Sequence, residues 1–143
     1  MTVCNQCGTC TGSCPAARFS DSFNPRKIIR GIVLGSDDEL VRGNPIWMCT
    51  TCHFCSERCP QGIDVSEGII ALRNLAAQEG NVPEDIKNEV VNLLSAGVTV
   101  LPSPMIEKRR DKLGLPSLPR VDLEQVRTLL RVAGLDRHPK GDK

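Results

Sequence analysis

The chain has 143 residues, enough for one modest domain and a tail. Its 18 Lys and Arg against 17 Asp and Glu leave a formal charge of +1, and with one Trp, three Phe and no Tyr it lacks the basic field and stacking surfaces that nucleic acid or an anionic membrane would call for. No apolar run approaches a membrane span and Cys4 follows Met1 too closely for a signal peptide, so a cytoplasmic chain without a membrane span is expected.

The first element is a cysteine run, Cys4, Cys7, Cys10 and Cys14, closed by Pro15. The 34 residues that separate it from the next cysteine read as helix rather than hairpin. Asn24-Pro25 is a cap followed by a first-turn proline, and Ile28, Ile29, Ile32 and Val33 fall on one face before Gly35. Ser36 and Glu39 form a capping-box pattern for a short helix with Leu40 and Val41, ending near Gly43.

The second run, Cys49, Cys52, Cys55 and Cys59, is closed by Pro60 and repeats the first as C-x2-C-x2-C-x3-C-P. Asp64 or Ser66 then caps a helix carrying Ile69, Leu72, Leu75 and Ala76, which Gly80 stops. Pro83 opens another, with Ile86, Val90, Leu93 and Leu94 as its buried stripe and Gly97 as terminator. These spacings predict a cluster domain over 1–97. Over 98–143 they predict a connector punctuated by Pro102, Pro104, Pro116 and Pro119 with one short basic helix, then a last helix and a polar tail. That last helix is capped by Asp122 with Gln125, carries Leu123, Val126, Leu129, Leu130 and Ala133, and ends at Gly134; it can dock on a partner or pack back on its own chain.

All eight cysteines belong to the two runs, and in an unexported chain metal ligation explains them better than disulfides. Three thiolates at a step of three let a short loop curl round one face of an iron-sulfur cubane, with amide N–H groups turned toward the sulfides. The fourth cysteine then reaches the other cluster. One [4Fe-4S] cluster is thus expected on Cys4, Cys7, Cys10 and Cys59, and a second on Cys49, Cys52, Cys55 and Cys14. Zinc, which draws four ligands to one point, has no use for a third cysteine at the same short step. Two clusters of net 2− each would carry the formal charge to about −3, so nearby cations matter. By sequence these are Arg18, His53 and Arg58, each more simply solvated; Trp47 and Phe54 are candidates to shield a cluster from water.

There is no glycine-rich phosphate loop in a strand-to-helix context, and neither His53 nor His138 looks like a general base. No catalytic constellation is expected on the chain, which reads as a mainly α, two-cluster carrier of single electrons.

The segments CNQCGTCTGSCP, IWMCTTCHFCSERCPQGIDV and SPMIEKRRDKLGLP together resemble the C subunit of heterodisulfide reductase, over Cys4 to about Pro119. The resemblance implies an α-helical ferredoxin fold with two cubane clusters, here with a helical C-terminal arm. It implies an oxidoreductase complex whose A and B subunits are the partners of this chain, which relays electrons from the flavin-bearing A to B. The B partner reduces the mixed disulfide of coenzyme M and coenzyme B in methanogens, and a larger assembly with a hydrogenase or formate dehydrogenase is open. The chain has no adjacent Cys-Cys, which agrees with the C rather than the B polypeptide. The cysteine pattern is shared with iron-sulfur subunits of quinone-linked dehydrogenases and with relatives in sulfur-oxidising bacteria, so those settings remain alternatives.

Overall fold

The computed structural model describes residues 3–118 and 121–135; Pro119, His138 and the polar tail after Leu135 lie outside the described residues. Among these residues the fold is entirely helical, with no strand, and no helix is long and apolar enough to cross a membrane.

In chain order the α-helices are α1 (Thr9–Gly12), α2 (Pro25–Leu34), α3 (Asp37–Arg42), α4 (Phe54–Glu57), α5 (Val65–Gln78), α6 (Glu84–Ala96), α7 (Pro104–Lys112) and α8 (Leu123–Val132). The chain divides into two compact units, Met1–Val82 and Pro83–Lys143. This division falls before α6, earlier than the boundary at Gly97 suggested by the sequence.

In the first unit α5 is the central element, packing against α2, α3 and α4, while α1 packs against α2 and α4. Its core consists of Phe23, Ile28, Ile29, Val41, Ile46, Val65, Ile69, Leu72 and Ala76, joined by Cys14 and Cys55. The predicted faces are narrower than expected. Ile32 and Val33 on α2 and Leu75 on α5 are exposed. Gly31 makes room for Leu40 of α3 against α2, since a Cβ there would lie 2.7 Å from Leu40 Cδ1.

The caps follow the sequence with one exception. Asn24 Oδ1 accepts from the Lys27 amide at 3.1 Å, Asp64 Oδ1 from the Glu67 amide at 3.2 Å, and Asp122 Oδ1 from the Glu124 and Gln125 amides at 3.0 and 3.3 Å. Ser36 makes no side-chain cap, and the chain enters α3 directly from the left-handed Gly35. Ser66, the other candidate cap of α5, lies inside the helix and is fully buried.

The second unit is built on α6 against α8. The stripe Ile86, Val90, Leu93 and Leu94 is only half buried, and of the α8 positions Leu130 is buried while Leu129 points outward. Arg127 Nε donates to the Leu94 carbonyl at 3.1 Å, tying the pair together. The basic α7 is capped by Ser103 and exposed along most of its length.

Candidate metal centre

Each cysteine run folds as a loop that climbs into one helical turn, α1 in the first and α4 in the second. The two loops share a backbone pattern at equivalent positions. Gln6 (φ 59°) and Gly8 (φ 86°) flank Cys7, and Thr51 (φ 52°) and His53 (φ 61°) flank Cys52, all left-handed. Three of these four carry a side chain, and each such residue costs about 1–2 kcal/mol. Alternating left-handed residues turn successive amides toward one concave side, the arrangement of an anion nest, so the strain has a use at a site built for negative charge.

Two further devices repeat. The residue after the third cysteine, Thr11 or Ser56, donates its hydroxyl to the cap of the next long helix: Thr11 Oγ1 to Asn24 Oδ1 at 2.9 Å, and Ser56 Oγ to Asp64 Oδ1 at 2.6 Å. The same oxygens accept the amide of that helix's second residue, Arg26 or Ser66, at 3.0 Å in both cases. Each loop is thereby latched to the helix that follows it. Around Asp64 the network extends through Ser66 Oγ, 2.9 Å from Asp64 Oδ1 and 2.8 Å from His53 Nδ1. The hydroxyls of Ser56 and Ser66 and the Glu67 amide hold the Asp64 carboxyl below the usual carboxylate range, the Ser56 bond contributing most.

The eight cysteines, all free, sort into two groups. Cys4, Cys7, Cys10 and Cys59 line one open cavity, and Cys14, Cys49, Cys52 and Cys55 line a second. No three Cys, His, Asp or Glu side chains among the described residues converge closely enough to hold a single metal ion, so each set of four sulfurs surrounds a volume rather than a point. That donor set fits a four-iron cubane, each iron of which takes one thiolate, better than tetrahedral zinc.

The two surroundings differ. The first cavity is rimmed by Asn5, Gln6, Thr9, Arg26 and Gln61; Gln6 Nε2 donates to Cys4 Sγ at 3.2 Å, and Thr9 Oγ1 lies 3.3 Å from Cys7 Sγ. That hydroxyl pulls the Cys7 thiol down, whereas burial pushes up Cys10 here and Cys55 in the second set. The second cavity is walled by Phe23, Pro25, Phe54 and Ile69, with the Thr51 amide 3.4 Å from Cys49 Sγ.

Of the residues singled out by sequence, Phe54 and His53 do line the second cavity, Arg58 stacks on Phe54 at 5.3 Å, and Arg18 is exposed. Trp47 lines neither cavity; its ring faces Arg73 instead. Sequence reading missed Thr11, Ser56, Arg26 and Arg73. The hydroxyls had a signal, a Thr or Ser at the same step after the third cysteine of each run, but the arginines lie in helices distant in sequence and had none.

Residues 1–63 match the family model of the 4Fe-4S dicluster domain. Over 143 aligned residues, covering 96% of this chain and 76% of the relative, the sequence is 42% identical to the second iron-sulfur C subunit of CoB–CoM heterodisulfide reductase from Methanocaldococcus jannaschii. It is also 42% identical, over 92% of this chain and 73% of the relative, to the C2 subunit of the H2/formate:CoB–CoM heterodisulfide,ferredoxin reductase of Methanococcus maripaludis. To the C subunit of the ferredoxin:CoB–CoM heterodisulfide reductase of Methanosarcina mazei it is 35% identical, over 93% of this chain and 85% of the relative.

Proposed function

The chain belongs to the family of iron-sulfur C subunits of CoB–CoM heterodisulfide reductases, and from that membership we propose that it is the internal electron relay of such a complex, passing single electrons from a flavin-bearing A partner to the disulfide-reducing B partner. Membership makes it an iron-sulfur, electron-transferring member of a multi-subunit oxidoreductase. In this proposal the relay runs between those two partners in the cytoplasm, and the heterodisulfide is the final acceptor.

Two [4Fe-4S] clusters, when bound, supply one-electron storage sites. Cys4, Cys7 and Cys10 would hold the first with Cys59, and Cys49, Cys52 and Cys55 the second with Cys14. The observation that carries this is the sorting of cysteines around the cavities, three from one run and the last from the other. Thr11 and Ser56 fix the loops against α2 and α5, so the thiols are preorganised and little rearrangement accompanies a change of charge. The left-handed residues give each loop the backbone pattern of an anion nest, which favours an anionic group. In this reading no residue of the chain performs bond chemistry, and the heterodisulfide is reduced elsewhere in the complex.

Anaerobic iron and sulfide analysis with EPR of the dithionite-reduced protein tests the site. About eight irons and the signature of two interacting cubanes are expected, whereas zinc without an EPR signal would remove the redox role. Cys14→Ser should then resemble Cys52→Ser in its EPR spectrum rather than Cys7→Ser; the opposite pairing would overturn the crossed ligation. If the isolated, fully loaded chain reduced the heterodisulfide unaided, the relay role would be wrong.

A further inference from the structure

Arg73 sits on α5 with its side chain half buried against the segment leading into the second cysteine run. Its Nε donates to the Ile46 carbonyl at 2.9 Å, and its Nη2 donates to the Trp47 carbonyl at 3.0 Å and to the carbonyl of Cys49. The guanidinium carbon lies 5.5 Å from the centre of the Trp47 ring. Three carbonyls accept from its Nε and Nη2 and an aromatic face covers the guanidinium, but none of these carries a formal charge. The ion pairs among the described residues are Lys87–Glu84 and Arg127–Glu124, on other helices, and Arg73 takes part in neither.

A cation partly withdrawn from water is costly without a counter-charge. The carbonyl it grips belongs to Cys49, whose sulfur lines the second cavity. A cubane on four thiolates is net 2− when oxidised and 3− after accepting an electron. Arg73 lines neither cavity and reaches the second site through the Cys49 backbone, whereas the cation at the rim of the first cavity, Arg26, is an exposed side chain whose charge solvent and salt screen.

We propose that Arg73 is the built-in counter-cation of the second cluster, a positioning residue that fixes the Cys49 backbone and favours adding an electron to that cluster. The inference rests on the crossed ligation proposed above. The step concerned is addition of one electron to the cluster held by Cys14, Cys49, Cys52 and Cys55. No bond breaks and no proton moves.

The test is an anaerobic, EPR-monitored potentiometric titration of the loaded protein, with dithionite as reductant, comparing wild type with Arg73→Gln and Arg73→Lys. Arg73→Gln should make the second cluster about tenfold harder to reduce, equivalent to about 59 mV for a one-electron step. The first cluster's midpoint should stay in place. Arg73→Lys restores the charge without the planar fork and should recover most of the shift. If Arg73→Gln does not load with iron, Arg73→Met, which keeps the stem against Trp47, carries the same expectation.

A neutral variant with full iron content and both midpoints unchanged would reduce Arg73 to a structural brace and overturn the proposal. So would an equal shift in Gln and Lys variants. Failure of the underlying ligation shows separately: the shifted midpoint would still belong to the cluster that Cys52→Ser disturbs, but Cys14→Ser would disturb the other cluster, together with Cys7→Ser.

Discussion

Asp64 gathers the Ser56 and Ser66 hydroxyls and the Glu67 amide on one carboxylate oxygen, so a single residue both caps α5 and latches the second cysteine loop. Those donors stabilise the ionised form, and the folded-state pKa lies below the unfolded one. The resulting stabilisation is present above the ordinary carboxylate pKa of about 4 and is lost as pH falls through the depressed folded value. Asp64→Asn keeps a capping oxygen but no titration. Thermal unfolding should therefore show wild type more stable than Asp64→Asn at neutral pH, with the gap closing in acid; a gap that is independent of pH would mean that the carboxylate charge contributes nothing. The cysteines were fully legible as candidate ligands because their spacing is local. Arg73 was not, since its partners lie 24 to 27 residues earlier in the chain and nothing in a helical stripe distinguishes a gripping arginine from a solvated one.

At the scale of elements, the caps, glycine stops and helix phases were readable because each is set within a turn or two of sequence. Asn24-Pro25 and Asp122 capped as their residue types predict, and Gly35, Gly80, Gly97 and Gly134 adopt the left-handed conformation expected of stops. What periodicity could not supply was the partner of each face. The sequence suggested no mate for α8, yet its mate is α6, and the two share a division of the chain that begins at Pro83. Gly97 shows why that pairing needs its particular residue. Its φ is 73°, and a Cβ there would lie 2.5 Å from Val121 Cγ1, just ahead of α8. Gly97→Ala should cost about 1 kcal/mol from backbone strain, and more from the clash. The expected result is a lower melting temperature for the second unit with cluster EPR unchanged, which rules out a general effect on folding if observed together.

For the whole molecule, the first unit owes much of its interior to the cluster sites. Cys14 and Cys55 are counted among its buried core, and its large buried side chains are few. A small core of this kind depends on a metal group for its stability, as small metal-stapled domains do. Removing iron with a chelator should therefore lose the part of the helical circular dichroism contributed by α1–α5 and open residues 1–82 to protease; unchanged dichroism and digestion after iron removal would contradict that dependence. The lining of each cavity by one cysteine from the opposite run reaches further, into how the protein is filled. Under the crossed ligation, the first cluster to arrive immobilises the far wall of the second site. Its neighbour then binds to a surface that no longer has to be ordered. Under that ligation maturation is expected to be cooperative: when iron is scarce, a population of these chains would divide into empty and complete molecules, with few half-built wires to draw electrons and fail to deliver them.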